Sequence, residues 1–254
     1  MKIPYFPGCT LFEKAKKFNQ EAIDIASLFG YKLSEIPDWT CCGAVFPNSI
    51  KDIMKFAGPY RMLASAEKES DKLLTLCSAC YNVMKRANKV IKENEDIREK
   101  LKLFTEVEYN GNVNVIHYLE FLKDIVTYEK IKEAVKTKNK IKVSPYYGCL
   151  ILRPYEELGL DDPENPKLIS NIIELIGDEL VKFPSQNECC GAYLSVTEDA
   201  KNIDLAKKIC FEAREYGSDF LVTSCPLCSF ALNKAEDNIS IKYFTEYLAE
   251  SLEF

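Results

Sequence analysis

Ten of the eleven cysteines in this 254-residue chain form one pattern written twice. The first copy is Cys9, the pair Cys41-Cys42, then Cys77 and Cys80; the second is Cys149, the pair Cys189-Cys190, then Cys225 and Cys228. A glycine follows each pair, Gly43 and Gly191, and each copy closes on a C-x-x-C. Between Cys42 and Cys77 lie 34 residues, and between Cys190 and Cys225 again 34; only the first gap differs, 31 residues against 39. So regular a repeat constrains the chain to two similar units, each gathering five sulfurs.

Two units of about 125 residues match a common domain size. The lysine-rich stretch 130–142 divides them, giving domains 1–135 and 136–254. Chains of that size fold without disulfide staples, so the cysteines need another explanation. No secretory signal is visible: Met1-Lys2-Ile3-Pro4 runs straight into a strand-like segment. The longest run free of charged residues, 220–233, has 14 residues and contains Pro226, too short to span a bilayer. The expectation is a cytoplasmic protein, where thiols stay reduced and clustered cysteines bind metal or do redox work. A formal net charge of −6 argues against a nucleic-acid partner.

Along the chain, Ile3 to Phe6 reads as a buried strand delivering Cys9. Phe18, Ala22, Ile25 and Phe29 recur at helical spacing, and Gly30 ends that helix. A second extended segment, Tyr31 to Leu33, precedes the first cysteine pair. Asn48 or Ser49 is placed to cap the next helix, with Gly58-Pro59 in its path. Leu73 to Leu76 is a strand ending at Cys77, Tyr81 to Lys102 a charged helix, Val113 to Ile116 a fourth strand, and Tyr118 to Leu122 a helix start. The second unit repeats this order. Ile141 to Val143 delivers Cys149, a helix through Ile169 and Ile176 ends at Gly177, and Thr197 is placed to cap a helix through Cys210. Phe220 to Thr223 precedes Cys225, and 240–248 echoes 115–122, with Glu246 matching Glu120. Strands alternating with helices predict two tandem α/β domains, each with a small, mostly parallel sheet, related by a pseudo-twofold. Ligands gather at the carboxyl ends of such strands.

Three chemistries compete for the sulfurs. Disulfides fit poorly, because a pair and a C-x-x-C cannot all close locally without strain and the expected compartment is reducing. Structural zinc takes four ligands, whereas each set offers five cysteines, and the side chains of adjacent residues diverge. An iron–sulfur cluster spreads its irons over several ångströms and accepts diverging thiolates, with the following glycine freeing the backbone to turn. Five thiolates are one more than an ordinary cubane needs.

The arrangement Cys-x31-Cys-Cys-Gly-x34-Cys-x-x-Cys, with a second copy at x39, resembles the cysteine-rich CCG domain. With both copies complete, and with Phe6-Pro7-Gly8-Cys9-Thr10, Trp39-Thr40-Cys41-Cys42-Gly43, Tyr147-Gly148-Cys149 and Cys225-Pro226-Leu227-Cys228, the whole chain is similar to the family of B-type subunits of heterodisulfide reductase. That resemblance implies two noncubane [4Fe-4S] clusters held by Cys9, Cys41, Cys42, Cys77 and Cys80 and by Cys149, Cys189, Cys190, Cys225 and Cys228. It implies an enzyme of methanogenesis that reduces the mixed disulfide of coenzyme M and coenzyme B. Its partners would be a subunit of C type, carrying ordinary clusters, and a flavin subunit of A type. Two stretches depart from the family: Leu150 stands where histidine is usual, and Ala192 to Ser195 replaces a glycine-richer segment. The alternative is an electron-transfer iron–sulfur subunit of a flavoprotein system of the lactate, glycolate or glycerol-phosphate type.

Few other residues invite a role. Cys210 lies on an apolar helix face, as a small buried hydrophobe does. His117, the only histidine, follows a strand and is a candidate proton donor, though a structural hydrogen bond explains it as well. Arg153, Arg61 and Lys55 are candidates to meet an anionic end of a substrate. Trp39 either shields a cluster from water or packs in the core.

Overall fold

The computed structural model describes residues 1–44, 52–136, 140–235 and 238–252. Two four-stranded, all-parallel sheets form, each flanked by helices, so the chain is α/β with two tandem units. In the first, β1 (Lys2–Phe6), β2 (Lys32–Glu35), β3 (Lys72–Thr75) and β4 (Asn114–His117) lie in the order β2-β1-β3-β4. In the second, β5 (Lys142–Tyr146), β6 (Glu179–Leu180), β7 (Phe220–Thr223) and β8 (Ser240–Tyr243) lie in the order β6-β5-β7-β8. The register matches across the repeat: Leu74 pairs with Ile116 as Val222 pairs with Lys242. Parallel strands covered by helices are buried on both faces, and β1, β3 and β7 are buried almost throughout.

Strand order decides where the sulfurs go. The single cysteine follows the central strand β1, the pair follows β2 and the C-x-x-C follows β3. These strands are neighbours, so all three pieces arrive at one end of one sheet. β5, β6 and β7 repeat the arrangement. Cys77 and Cys225 are the N-caps of helices Ser78–Glu93 and Pro226–Asn233, the latter with proline in its first turn.

Several sequence expectations shift. The helix expected over 81–102 is two helices, Ser78–Glu93 and Glu95–Thr105, because Asn94 leaves helical geometry (φ −130°) and its side chain caps the second by accepting from the Ile97 amide at 3.1 Å. The helix through Cys210 runs Asp199–Glu215 with Glu198, not Thr197, at its N-cap; the Thr197 amide instead donates to Leu194 O in a turn. β6 was not expected, having only two residues and no alternation to read. The proposed caps Asn48 and Ser49 lie outside the described residues.

One hydrophobic core runs through both units, joining Phe6, Leu74 and Tyr118 to Ile173, Val222 and Phe244. The seam between them carries the pseudo-twofold. Tyr243, at the end of β8, directs its hydroxyl to Ser224 O (2.9 Å) and to the repeat-equivalent carbonyl of the other unit, Leu76 O (2.8 Å). Ser78 Oγ donates to Ser224 O at 2.8 Å, and the Phe18 and Tyr243 rings stack 4.6 Å apart.

Candidate functional site

Each unit holds its five cysteines at the carboxyl end of its sheet. In the first, Cys9 and Cys41 Sγ lie 3.6 Å apart and Cys42 and Cys80 Sγ 3.3 Å apart. In the second, the corresponding distances are 3.7 Å for Cys149 and Cys189 and 3.3 Å for Cys190 and Cys228. All ten are free thiols. Backbone amides point at them: Gly43 N–H donates to Cys41 Sγ, Ala44 N–H to Cys42 Sγ and Gly191 N–H to Cys189 Sγ, each at 3.4 Å. Gly43 (φ 85°) and Gly191 (φ 71°) occupy left-handed backbone that a side chain would strain. That conformation turns the amide back onto the sulfur.

The thiols share charge. Hydrogen bonds from Cys41 and then Cys80 pull the Cys42 thiol down to about 4, and a hydrogen bond from Cys149 pulls Cys189 down to about 6. Their partners Cys41, Cys80 and Cys149 shift the other way, and Cys228 is raised by its hydrogen bonds with Cys190 and Cys225. A thiolate poised among thiols is the ligand form that metals take. The sulfurs form pairs, and among the described residues no three His, Cys, Asp or Glu groups converge on a single point. Five spread sulfurs, glycine-backed and lined with amide donors, suit a polynuclear group better than one tetrahedral ion.

Space for that group is kept by two more glycines. A Cβ on Gly8 would lie 2.8 Å from Cys80 Sγ, and one on Gly148 3.1 Å from Cys228 Sγ. Below the first set, Trp39 packs edge-on against Phe6 and Phe12, both at 5.5 Å, and its Nε1–H donates to Glu35. The two sets approach each other through the seam, where the Cys225 thiol is lowered chiefly by a hydrogen bond with Cys228 and, to a lesser degree, by the backbone of Ala79 in the other unit.

A groove of about 640 Å³ opens between the units. Cys9, Thr10, Lys14 and Lys17 form one wall; Pro226, Leu227 and Phe230 form much of the other. Lys17 pairs with Glu246 of the second unit and lies 3.7 Å from Glu21, whose carboxyl burial pushes up to about 7.

The singly proposed residues fall elsewhere. His117 is fully buried in the seam. Its Nδ1 accepts from the Leu119 amide (3.2 Å), its other nitrogen lies 3.4 Å from Ser78 Oγ, and burial lowers its pKa to about 3. It is neutral and reaches no groove. Arg153 is held by Asn187 O (2.9 Å), Pro163 O (3.5 Å) and Glu164 (3.2 Å) on the outside of the second unit. Arg61 is exposed on the helix Ala57–Glu67, and Lys55 lies over Phe56 in a separate cleft with Arg86 and Lys89. None of the three lines the groove. Its cations are Lys14 and Lys17, which nothing in the sequence sets apart from the chain's other lysines. Cys210 is buried, its sulfur 3.8 Å from Leu232 O.

The family model for the CCG cysteine-rich domain matches residues 3–85 and 143–233. The chain belongs to this family, with two copies in tandem. It is 30% identical, over 90% of its own length and 81% of the relative's, to the 8-methylmenaquinol:fumarate reductase membrane anchor subunit of Wolinella succinogenes. It is also similar to the B-type subunit of the ferredoxin/F(420)H(2)-dependent CoB-CoM heterodisulfide reductase of Methanosarcina acetivorans, at 26% identity over 97% of this chain and 84% of that one. A protein of Archaeoglobus profundus that is itself described as like the B-type subunit of heterodisulfide reductase is 28% identical over 94% and 83%. The crystal structure of a hypothetical protein from Helicobacter pylori shares the fold, with a TM-score of 0.76 at 12% identity, covering 98% of this chain and 48% of that one. Among the described residues no helix is long and apolar enough to cross a membrane.

Proposed function

We propose that this chain is the catalytic iron–sulfur subunit of a heterodisulfide reductase complex, cleaving a small-molecule disulfide in the groove between its units. The observation that carries this is the groove itself: it is lined by Cys9 of one cysteine set and by Pro226 and Leu227, the two residues between Cys225 and Cys228 of the other. The balanced reaction is R–S–S–R′ + 2 e⁻ + 2 H⁺ → RSH + R′SH. Each domain, 1–135 and 136–254, holds one [4Fe-4S] cluster through its five cysteines. A fifth thiolate in each set suits the noncubane form. Such clusters, when bound, supply electrons one at a time, so a two-electron cleavage is served by two sites facing one substrate.

The chain's own residues supply the rest. Apolar Leu227 and Phe230 hold the disulfide's alkyl arms, and Lys14 and Lys17 complement anionic ends, as the coenzyme M–coenzyme B disulfide would present. His117 is secondary. No flavin or nucleotide motif is present in the sequence, so electrons come from partners, an iron–sulfur subunit of C type and, behind it, a flavin subunit of A type, in the cytoplasm.

The test is disulfide reduction by the anaerobically purified protein with a reduced low-potential dye, using the coenzyme M–coenzyme B disulfide. Turnover that vanishes in both Cys42→Ser and Cys190→Ser supports the reading. A wild-type protein that accepts electrons yet reduces no disulfide refutes it and leaves an electron relay, the role open to a subunit like the Wolinella relative.

A further inference from the structure

The peptide that joins Cys190 to Gly191 is held at both ends. Its N–H donates to Cys189 Sγ at 3.4 Å, and its carbonyl accepts from the side-chain amide of Asn202 at 2.9 Å. N–H and C=O are opposite edges of one rigid plane, so whatever fixes the carbonyl also aims the N–H. The turn is pressed closely against the start of the helix Asp199–Glu215. A Cβ on Gly191 would stand 2.7 Å from Leu205 Cδ1 and 3.5 Å from Asn202 Cα.

Asn202 is fully buried, at 0% exposure. With the Cys190 carbonyl as acceptor, the nitrogen of its amide is the atom that faces the turn. Its Oδ1 is left buried with no hydrogen-bond partner among the described residues. An unpaired buried acceptor costs stability, and leucine would fill a similar volume without that cost. The amide is therefore placed for its donor. Twelve residues after the second cysteine of each pair stand Asn202 in the second unit and Met54 in the first. The side chain of Met54 has no hydrogen to donate.

Resting on the proposed role of the cysteines as cluster ligands, we infer that Asn202 is a positioning residue for the second site: by pinning the Cys190 carbonyl it aims the Gly191 N–H at the Cys189 sulfur, and so sets that site's reduction potential. An amide bond to a ligating sulfur stabilises negative charge there, and a reduced cluster carries one more negative charge than an oxidised one. Hydrogen bonds to the sulfurs are among the terms that set such potentials. This bond favours reduction, and its loss lowers the potential. Partners of metal ligands typically matter by about 10–100-fold in affinity or activity.

Two substitutions test this. Asn202→Leu removes the donor and keeps the volume; Asn202→Ala removes it without crowding. Each is made in the full chain, and again in Cys42→Ser, where the second site alone contributes. Reduction is followed by electron paramagnetic resonance against redox dyes. At the dye potential that half-reduces Cys42→Ser, either substitution should lower the reduced-to-oxidised ratio about tenfold, 59 mV for a one-electron couple. Pulsed spectra should lose the coupling of one exchangeable proton. In Cys190→Ser, which keeps the first site, the same substitutions should leave the potential unchanged. Iron lost from the second site alone also supports the inference, since the turn then holds the ligands themselves. An unchanged potential and coupling in both variants overturns it. So does iron lost from both sites in both variants, which would make Asn202 a support of the whole fold. Anaerobic wild-type protein that carries no iron refutes the reading of the cysteines, and this inference with it.

Discussion

At the helices that begin within the two C-x-x-C motifs, Phe230 leaves a ring in the open groove while its repeat equivalent Asn82 is buried and donates to Leu150 O and Arg153 O. A second equivalent pair differs as sharply. Glu120 turns back on its own helix start, accepting from the His117 amide at 3.4 Å, whereas Glu246 leaves its helix uncapped and reaches across to Lys17 at the groove. The sulfur positions are nearly superimposable in their spacing, 3.3 Å in both units for the inner pair. Duplication has kept the ligand frame and changed what surrounds it. Both units line the groove, the first through Cys9 and the residues after it, the second through the helix Pro226–Asn233.

The comparison breaks most visibly at the ligands. Cys42→Ser should strip iron from the first site only and Cys190→Ser from the second only, while either abolishes disulfide turnover. If a single-site protein keeps about half the wild-type rate, the two sites work independently. The glycines give the next largest effect. Gly8 has φ 80° and ψ 158°, a region almost reserved for glycine, so Gly8→Ala costs roughly 1–3 kcal/mol in backbone strain before its methyl meets Cys80. Gly148 also has positive φ (64°), and Gly148→Ala costs about 1–2 kcal/mol with a looser contact to Cys228, 3.1 Å against 2.8 Å. Thermal melting and iron content of the two variants should rank in that order; the reverse ranking would show the second site to be the tighter.

A smaller effect separates His117 from its counterpart Tyr243. The folded pKa of His117 is depressed, to about 3, below an unfolded value of roughly 6.5. The unfolded chain therefore binds the extra proton, and stability falls as pH drops below that value, by roughly 1.4 kcal/mol at pH 5.5. Denaturation of the wild type at pH 7.5 and 5.5 should show this loss relative to His117→Asn, whose turnover should stay within a few-fold of wild type. A wild type and variant with the same pH dependence would place a charged histidine in the seam. Smallest of all, Cys210→Ser should leave both sites' iron in place and shift stability by about 1 kcal/mol or less. Loss of iron there would bring the eleventh cysteine into a site.

The sulfur frame was legible because it is local. Each cysteine follows a strand, and runs such as Leu73 to Leu76 and Phe220 to Thr223 mark those strands without tertiary help. β6 escaped because two residues carry no period, and the break at Asn94 because a capping asparagine inside a charged helix reads as one more polar residue. A shared cleft follows from two related halves, but the residues that line it were not legible. Lys14 and Lys17 acquire meaning only when the first helix meets Phe230, more than 200 residues away, and Asn82 reads as an ordinary helix-face residue until Leu150 and Arg153 arrive beside it. Arg153 drew notice for its nearness in sequence to Cys149, yet its guanidinium turns away to Asn187.

The seam through Ser78, Ser224 and Tyr243 is built like the interface of a symmetric dimer, the same surface meeting itself. In a dimer of two identical chains every substitution is made twice, so a phenylalanine placed at one groove is placed at both, and an asparagine that bonds one loop bonds both. Joining the copies in a single polypeptide lifts that restriction. Position 82 and position 230 vary separately, as do 117 and 243, and a molecule with two matched cysteine sets acquires a front and a back.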